Sequence, residues 1–340
     1  MMMKILVTGP TGFIGKAFVK ALITEQLGHD IFCAVRKESN TEDLEMLDVK
    51  LVNFDLLDSS TFAPAVKGMD TVVHFAANFD FLASEESLFS QNVEATRKLA
   101  EACLETNIKH FVYCSSTEAM GIVVDGTEES DYNPDEVYGR SKMEAERVLL
   151  KLHEENDLPL TIARPTGVYG PGDYYVFRGL VDSMDRSIIK RVIPASLEHT
   201  IHFTYIDDIV QGLLKIVEKR DKTIGEIFIL ASDEPQTWKE LFVTITTKLG
   251  NKKPWIITWV PMSVVKPVWP LVVKFYKRKG FDFPYVPNAM EKLQTSRNYV
   301  NDKARKILDF NPTVDFETGV ERTVAWMEEQ GMLKSYNKSS

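Results

Sequence analysis

Two spacings in this chain can do chemistry. The first is Tyr138-Gly139-Arg140-Ser141-Lys142. Tyrosine and lysine four apart on a helix share one face. A phenol near pKa 10 is a poor proton carrier at neutral pH. A neighbouring ammonium favours the phenolate and lowers that pKa, which is what a general acid/base needs. The spacing alone is weak, because Tyr299 and Lys303 repeat it. Position separates the two. Tyr138 follows a strand-like run by about one loop, whereas Tyr299 lies outside the strand–helix rhythm. The bland alternative for Tyr138 and Lys142 is a surface cation–aromatic pair.

The second spacing is Gly9-Pro10-Thr11-Gly12-Phe13-Ile14-Gly15, directly after the apolar run Lys4–Thr8 and at the opening of a helical stretch. The first glycine permits a tight turn, the second lets backbone N–H groups approach a pyrophosphate, and the third lets helix pack on strand. The anion then sits at the positive end of the helix. Thr8, Gly9, Thr11, Gly12, Phe13, Ile14 and Gly15 are therefore candidate cofactor-binding residues for a dinucleotide. Arg36, followed by Lys37, occupies the place at the end of the second strand where a carboxylate often holds the ribose 2′-OH. A guanidinium can hold a 2′-phosphate bidentately, so NADP(H) is expected over NAD(H). A solvated basic turn is the other reading. Asp55, with Leu56, ends the third strand and is expected near the adenine, although the pair also reads as a helix-capping turn.

Cys114-Ser115-Ser116-Thr117 closes another strand. Ligands of open parallel sheets bind beyond the carboxyl ends of strands. A hydroxyl there can donate to a substrate oxygen as charge shifts onto it, so no metal is called for.

The elements that must hold these groups follow from the apolar pattern. Lys4–Thr8, Asp30–Val35, Val49–Phe54, Thr71–Phe75, His110–Cys114 and Leu160–Ala163 read as short, nearly continuous apolar strands. Gly15–Glu25, Gln91–Glu105 and Glu136–Glu155 read as helices, the last bracketed by Pro134 and Pro159. Such alternation predicts an α/β fold with a doubly wound parallel Rossmann sheet. After residue 170 the rhythm breaks, and only Thr204–Val217 and Glu226–Leu230 return to it. The expected division is a dinucleotide-binding domain of 1–170 plus 203–232, a smaller discontinuous substrate domain of 171–202 plus 233–330, and a tail at 331–340.

Taken together the motifs resemble the extended short-chain dehydrogenase/reductases, also called the NAD-dependent epimerase/dehydratase family. They are Thr8-Gly9-x-x-Gly12-x-x-Gly15, His74-Phe75-Ala76-Ala77, Asn92-Val93-x-x-Thr96, Ser115-Ser116, Tyr138-x-x-x-Lys142, Arg164-Pro165-Thr166-Gly167-Val168-Tyr169-Gly170-Pro171-Gly172 and Phe203-Thr204-Tyr205-Ile206-Asp207-Asp208. The resemblance implies catalytic roles for Ser116, Tyr138, Lys142 and Asn92, with Ser115 or Thr117 as alternative hydroxyls. Lys142 would bind the nicotinamide ribose, and Asn92 would support a proton-relay water. Ala76 and Ala77 would line the cofactor, and Pro165 and Val168 would face the nicotinamide. His74 could act as a base, but a core histidine is the better reading. The C-terminal run from Ala304 to Pro312, with Gly319, Val320, Thr323, Val324 and Trp326, is more similar to the 3-beta-hydroxysteroid dehydrogenase and dihydroflavonol reductase branch than to the sugar-nucleotide enzymes.

Composition sets outer limits. The chain has 340 residues, is 44% hydrophobic, and carries a formal net charge of −9. An acidic chain lacks the basic face that a nucleic-acid backbone needs. Cys33, Cys103 and Cys114 form no CxxC pair, which fits a reducing, cytoplasmic setting. The N-terminus lacks a signal peptide's longer apolar stretch, and no run of about 18 apolar residues is present. Six of the 15 prolines and three of the five tryptophans fall between Pro254 and Pro287. That segment reads as a substrate-domain core, as an apolar lid over a lipophilic substrate, or as a peripheral membrane contact through 254–279. A homodimer is expected by analogy with the fold.

The function expected is interconversion of a secondary alcohol and a ketone or aldehyde on a bulky apolar small molecule. The runner-up is a sugar-nucleotide epimerase or dehydratase, with Arg178, Arg186, Lys190 and Arg191 available to a diphosphate. A cofactor-binding sensor without chemistry is the third.

Overall fold

The computed structural model describes residues 2–80, 83–186, 192–194, 197–250, 255–257, 267, 271 and 292–333. Most of the proline- and tryptophan-rich segment 254–287, together with Lys190, Arg191 and residues 334–340, lies outside the described residues.

The centre is a seven-stranded sheet built from β1 (Lys4–Thr8), β2 (Asp30–Val35), β3 (Lys50–Asn53), β4 (Thr71–His74), β5 (His110–Cys114), β6 (Leu160–Pro165) and β11 (Ile227–Leu230). Its order is β11-β6-β5-β4-β1-β2-β3. Every pairing is parallel, with Val7 opposite Cys33 on one side and Val73 on the other. β4, β5 and β6 are buried along their whole length, which is why they read as unbroken apolar runs. β3, at the edge, is mostly exposed.

Helices cover both faces. On one side α1 (Phe13–Thr24) and α8 (Ile206–Glu218) place Phe18, Val19, Leu22, Ile209 and Leu213 against Ile5, Val7 and Phe228. On the other, α5 (Ala95–Glu105) and α6 (Val137–Asn156) place Leu99, Ala145 and Leu149 against Leu6, Val72 and Phe111. The stretch expected as one helix over 91–105 opens with a π-helical segment, Ser90–Glu94, before α5 proper. The helix expected over 136–155 is α6, displaced by one residue at each end. Fully buried Arg164 lies on β6. Its guanidinium meets Glu146 of α6 at 2.7 Å and the Tyr132 hydroxyl at 2.8 Å, so the charge is paired and hydrogen-bonded.

Outside the sheet stand β7 (Gly167–Tyr169) paired parallel with β10 (Phe203–Tyr205), β9 (Thr200–Ile201) paired antiparallel with β12 (Gln236–Thr237), and β8 (Val192–Pro194) paired parallel with β13 (Trp255–Ile257). α7 (Val176–Arg186), α10 (Trp238–Lys248), α11 (Asp302–Leu308) and α12 (Phe316–Glu329) surround them. Tyr169 is the hub of an aromatic cluster, with ring centroids of Phe177, Tyr205 and Phe316 at 4.7, 5.6 and 5.6 Å. The carboxylate of Asp208 on α8 accepts the Thr313 amide at 2.8 Å and the Val314 amide at 3.2 Å, fixing the turn before α12. Among the described residues no helix is long and apolar enough to cross a membrane.

Candidate functional site

Strand order reverses between β1 and β4, and a crevice at such a point receives ligands in open parallel sheets. The glycine loop leaves β1 there. Gly9 has φ +68°, and a Cβ on it would come within 2.8 Å of the Ala76 amide nitrogen just past β4. A Cβ on Gly15 would strike the Gly9 carbonyl. Gly12 N donates to Gly9 O at 3.1 Å, closing the turn. No side chain caps α1, and its first turn carries no acidic residue. The backbone amides at this helix start are thus matched to an anion, and the close approach of three backbones leaves a cradle that any larger residue would fill. These features fit a dinucleotide pyrophosphate.

The residues flanking that cradle take stated positions. Thr8 Oγ1 accepts the Ala76 N–H at 3.1 Å, tying the ends of β1 and β4 together. Thr11 is exposed, while Phe13 and Ile14 are half-buried against the core. The turn at Gly172 lies across Phe13, whose ring would stand 3.5 Å from a Cβ there. Arg36 and Lys37 are exposed on the turn after β2. Asp55 Oδ1 accepts the Leu57 amide at 2.9 Å, so one carboxylate oxygen serves the capping turn. Leu56 is half-buried, Pro165 ends β6, and Val168 sits in β7 opposite Thr204.

His74 is fully buried between two hydroxyls, with Thr8 Oγ1 2.7 Å from Nδ1 and Thr96 Oγ1 3.0 Å from Nε2. Burial, reinforced by the nearby Lys142 charge, holds its pKa down to about 3. It is a neutral core histidine joining β1, β4 and α5.

Ser116 follows β5 and caps the short 3-10 turn Thr117–Ala119, its Oγ accepting the Glu118 amide at 3.1 Å. That bond uses an oxygen lone pair and leaves the hydroxyl hydrogen to donate elsewhere. Of the three candidate hydroxyl residues, Ser115 and Thr117 are buried and Ser116 is half-exposed. Tyr138 stands in the first turn of α6, and Gly139 explains how it reaches the Ser116 turn. A Cβ on Gly139 would collide with the Glu118 carbonyl. Phe79 meets the Tyr138 ring edge-on at 5.0 Å and the Tyr175 ring at 5.8 Å.

Lys142 lies one turn further along α6. It is 3% exposed, and burial lowers its pKa to about 8. Its Nζ donates to Cys114 O at 2.9 Å and to Tyr113 Oη at 3.3 Å, and lies 6.0 Å from the Tyr138 ring centroid. The lowering expected of this ammonium is one it exerts together with the positive nicotinamide. Burial pushes Tyr138 upward, with Cys114 and Glu118 adding to the rise. Two of the three donors of the ammonium are used on β5.

Asn92 lies in the π segment and is 1% exposed. Its Oδ1 accepts the Asn78 N–H at 2.7 Å, and its Nδ2 donates to Asn78 O and to Ser141 Oγ, each at 3.0 Å. Both amide hydrogens are therefore used on protein atoms, and neither is left for a relay water. What Asn92 holds is the loop carrying Phe79, fastened to α6 beside Tyr138.

The second Tyr–Lys spacing diverges. Tyr299 Oη donates to Gly121 O at 3.2 Å, whereas Lys303, on α11, pairs with Glu226 at 2.7 Å. Residues that sequence reasoning passed over also gather here: Tyr113, Phe79, Glu118, Ser141 and Gly139. Only Gly139 carried a local signal, a side-chain-free position between the tyrosine and the lysine. Among the described residues no group of His, Cys, Asp or Glu is arranged to hold a metal ion.

A model of the NAD dependent epimerase/dehydratase family matches residues 5–231. The chain belongs to that family. As an extended short-chain dehydrogenase/reductase it is an NAD-dependent oxidoreductase. It is similar, at 26% identity over 349 residues, to the 3beta-hydroxysteroid-dehydrogenase/decarboxylase isoform 1 of Arabidopsis thaliana, covering 94% of this chain and 78% of that protein. The crystal structure of gox2253 superposes with a TM-score of 0.80 at 28% identity, covering 97% and 99% of the two chains. The UDP-glucuronic acid 4-epimerase of Bacillus cereus in complex with NAD shares the fold, with a TM-score of 0.74 at 22% identity over 96% and 99%.

Proposed function

We propose that this family member interconverts a secondary alcohol and a ketone or aldehyde on a bulky apolar substrate of steroid-like size and uses NADP(H). The observation that carries the reading is the arrangement at the end of β5. A half-exposed hydroxyl oriented by its own turn, a buried phenol and a buried ammonium meet beside the aromatic pair Phe79 and Tyr175. Similarity to a 3beta-hydroxysteroid dehydrogenase supports the substrate class.

The residues 8–15 would hold the pyrophosphate, Ala76 and Ala77 would lie against the dinucleotide, Pro165 and Val168 would face its nicotinamide, and Arg36 with Lys37 would meet the 2′-phosphate. When bound, the nicotinamide gives or takes a hydride at the carbinol carbon. Ser116 Oγ donates its free hydrogen to the substrate oxygen, polarising the carbonyl. Tyr138 Oη delivers a proton to that oxygen in reduction and removes it in oxidation. Lys142 supplies positive charge close to the phenol, and Asn92 fixes the loop that presents Phe79. The segments 171–202 and 233–330 are assigned to the substrate half.

The sugar-nucleotide reading needs free cations for a diphosphate. Arg178 instead lies 4.0 Å from Asp182 and over the Tyr174 ring. Titration of the purified chain with NADPH and with NADH, followed by tryptophan quenching, tests the cofactor assignment. Arg36→Ala is expected to weaken NADPH by tenfold or more and to leave NADH within about threefold, since a bidentate charge-assisted contact is lost. Equal losses for both nucleotides reject the role given to Arg36.

A further inference from the structure

Two cations from the far end of the chain lie against the carboxylates that flank Ser116 and Tyr138. Arg297 Nη2 meets Asp135 Oδ2 at 2.5 Å, and its Nη1 lies 3.4 Å from Glu118 Oε2. Lys292 Nζ is 3.2 Å from Glu136 Oε1 and 3.6 Å from Glu118 Oε2. Arg297, Lys292 and Glu136 are shielded from water, their side chains being 6%, 13% and 6% exposed, while Glu118 and Asp135 are 29% and 25% exposed. Glu118 is the residue whose amide orients Ser116, and Glu136 occupies the position before the first residue of α6, two before Tyr138. The backbone around the cations is anchored as well. Arg297 N donates to Thr200 O at 2.8 Å, Trp238 Nε1 donates to Lys292 O at 3.1 Å, and Tyr299 Oη reaches Gly121 O.

The groups facing the Tyr138 phenol are Cys114 and Tyr113 from β5, Glu118 from the 3-10 turn, Lys142 from α6, and the neutral ring of Phe79. Lys142 is the cation among them. The Glu118 carboxylate opposes ionisation of the phenol, and the two cations paired to it offset that opposition. Removing a cation from a buried pair leaves a carboxylate uncompensated.

We infer that Lys292 and Arg297 are positioning residues of the reaction, clamping the Ser116 turn to the start of α6 and neutralising Glu118 so that Tyr138 can release its proton. This rests on the reading of Tyr138 as the acid/base, yet the ionisation of that phenol can be measured without turnover. The experiment places 2,3,5-trifluorotyrosine at position 138 of the full chain by amber suppression, because fluorination brings the phenol into a titratable range. Its 19F resonance is followed against pH. Lys292→Met and Arg297→Met are each expected to raise the titration midpoint by about half a unit or more, as one nearby charge would. Glu118→Gln removes a charge instead of stranding one, and is expected to lower the midpoint in a chain that still folds. Glu118→Gln combined with Arg297→Met is expected to return it toward the parent value. Midpoints that stay within 0.2 units in the folded cation and Glu118 variants overturn the inference, and so does a rise on Glu118→Gln. Should the midpoints move as expected while Tyr138→Phe retains full turnover, the acid/base reading fails and the electrostatic coupling stands.

Discussion

Gly139→Ala is expected to separate stability from catalysis in this protein. Inside a helix, alanine replaces glycine with a gain of about 1 kcal/mol from propensity. Against that, the new Cβ meets the Glu118 carbonyl oxygen, with the Glu118 carbonyl carbon at 3.2 Å and the Pro134 Cβ at 3.1 Å. Backbone cannot rotate aside as a side chain does, so the first turn of α6 and the turn 117–119 must part by roughly 1 Å, a displacement that can cost about 100-fold in rate. The gain and the strain offset one another, and the urea midpoint should move by less than about 1 kcal/mol equivalent. The glycine cradle at Gly9–Gly15 makes no contact with Gly139, so NADPH binding should stay within about threefold. The assay is NADPH-linked reduction of a 3-ketosteroid, with kcat and KM determined separately beside a urea melt and a cofactor titration. A loss of about 100-fold falling on kcat is expected, because the change alters the spacing of Ser116 and Tyr138 and not the apolar contacts of the substrate. A variant that turns over at the parent rate would refute the claim that contact between these backbones sets the catalytic spacing.

Further outcomes follow from the same geometry. Tyr138→Phe is expected to lower kcat by about 100-fold or more while cofactor affinity holds, since only the proton carrier is removed; parent-like turnover rejects the mechanism. Gly9→Ala forces a residue with a side chain to φ +68° against the Ala76 backbone, and it should lower the melting temperature by several degrees and NADPH affinity by tenfold or more. An unchanged affinity would place the dinucleotide elsewhere. His74, His110 and His202 are held by burial at about 3, about 3 and about 4 in the folded chain, against about 6.5 when unfolded. The unfolded chain therefore binds more protons between those limits, and stability falls as pH drops below about 6.5. Urea midpoints measured from pH 7 to pH 4 should decline steadily, less steeply in His74→Gln, and a flat series contradicts the burial of neutral histidines.

The fold was readable wherever one local rule governed an element. Parallel strands buried on both faces appear as plain apolar runs, and the residues of β4, β5 and β6 showed that directly. The glycine cradle and the Tyr138–Lys142 face were readable because each lies within seven residues of sequence. The π segment at Ser90–Glu94 was not, since one widened turn leaves helical periodicity almost unchanged. Nor did spacing reveal that Tyr299 and Lys303 part company, because Tyr299 precedes the helix that carries Lys303. The partners of Asn92 depend on which loop backbone comes near, and no periodic pattern encodes that. Lys292 and Arg297 stand more than 150 positions from the carboxylates they meet, beyond the reach of any local pattern. The upward push on the Tyr138 phenol arises from burial by several elements at once.

The last strand to join the sheet, Ile227–Leu230, takes an edge position beside β6 after a long excursion through β7 and β10. Chains fold from their leading end as they leave the ribosome. On that timetable β6 must wait, one flank open, while more than sixty further residues are made. The partners of Glu118 and Glu136 are made later still. An arrested chain ending before residue 292 would carry the finished glycine cradle beside a Ser116 turn still lacking Lys292 and Arg297, so on the proposed reading the ability to bind coenzyme should arise during synthesis well before the ability to turn it over.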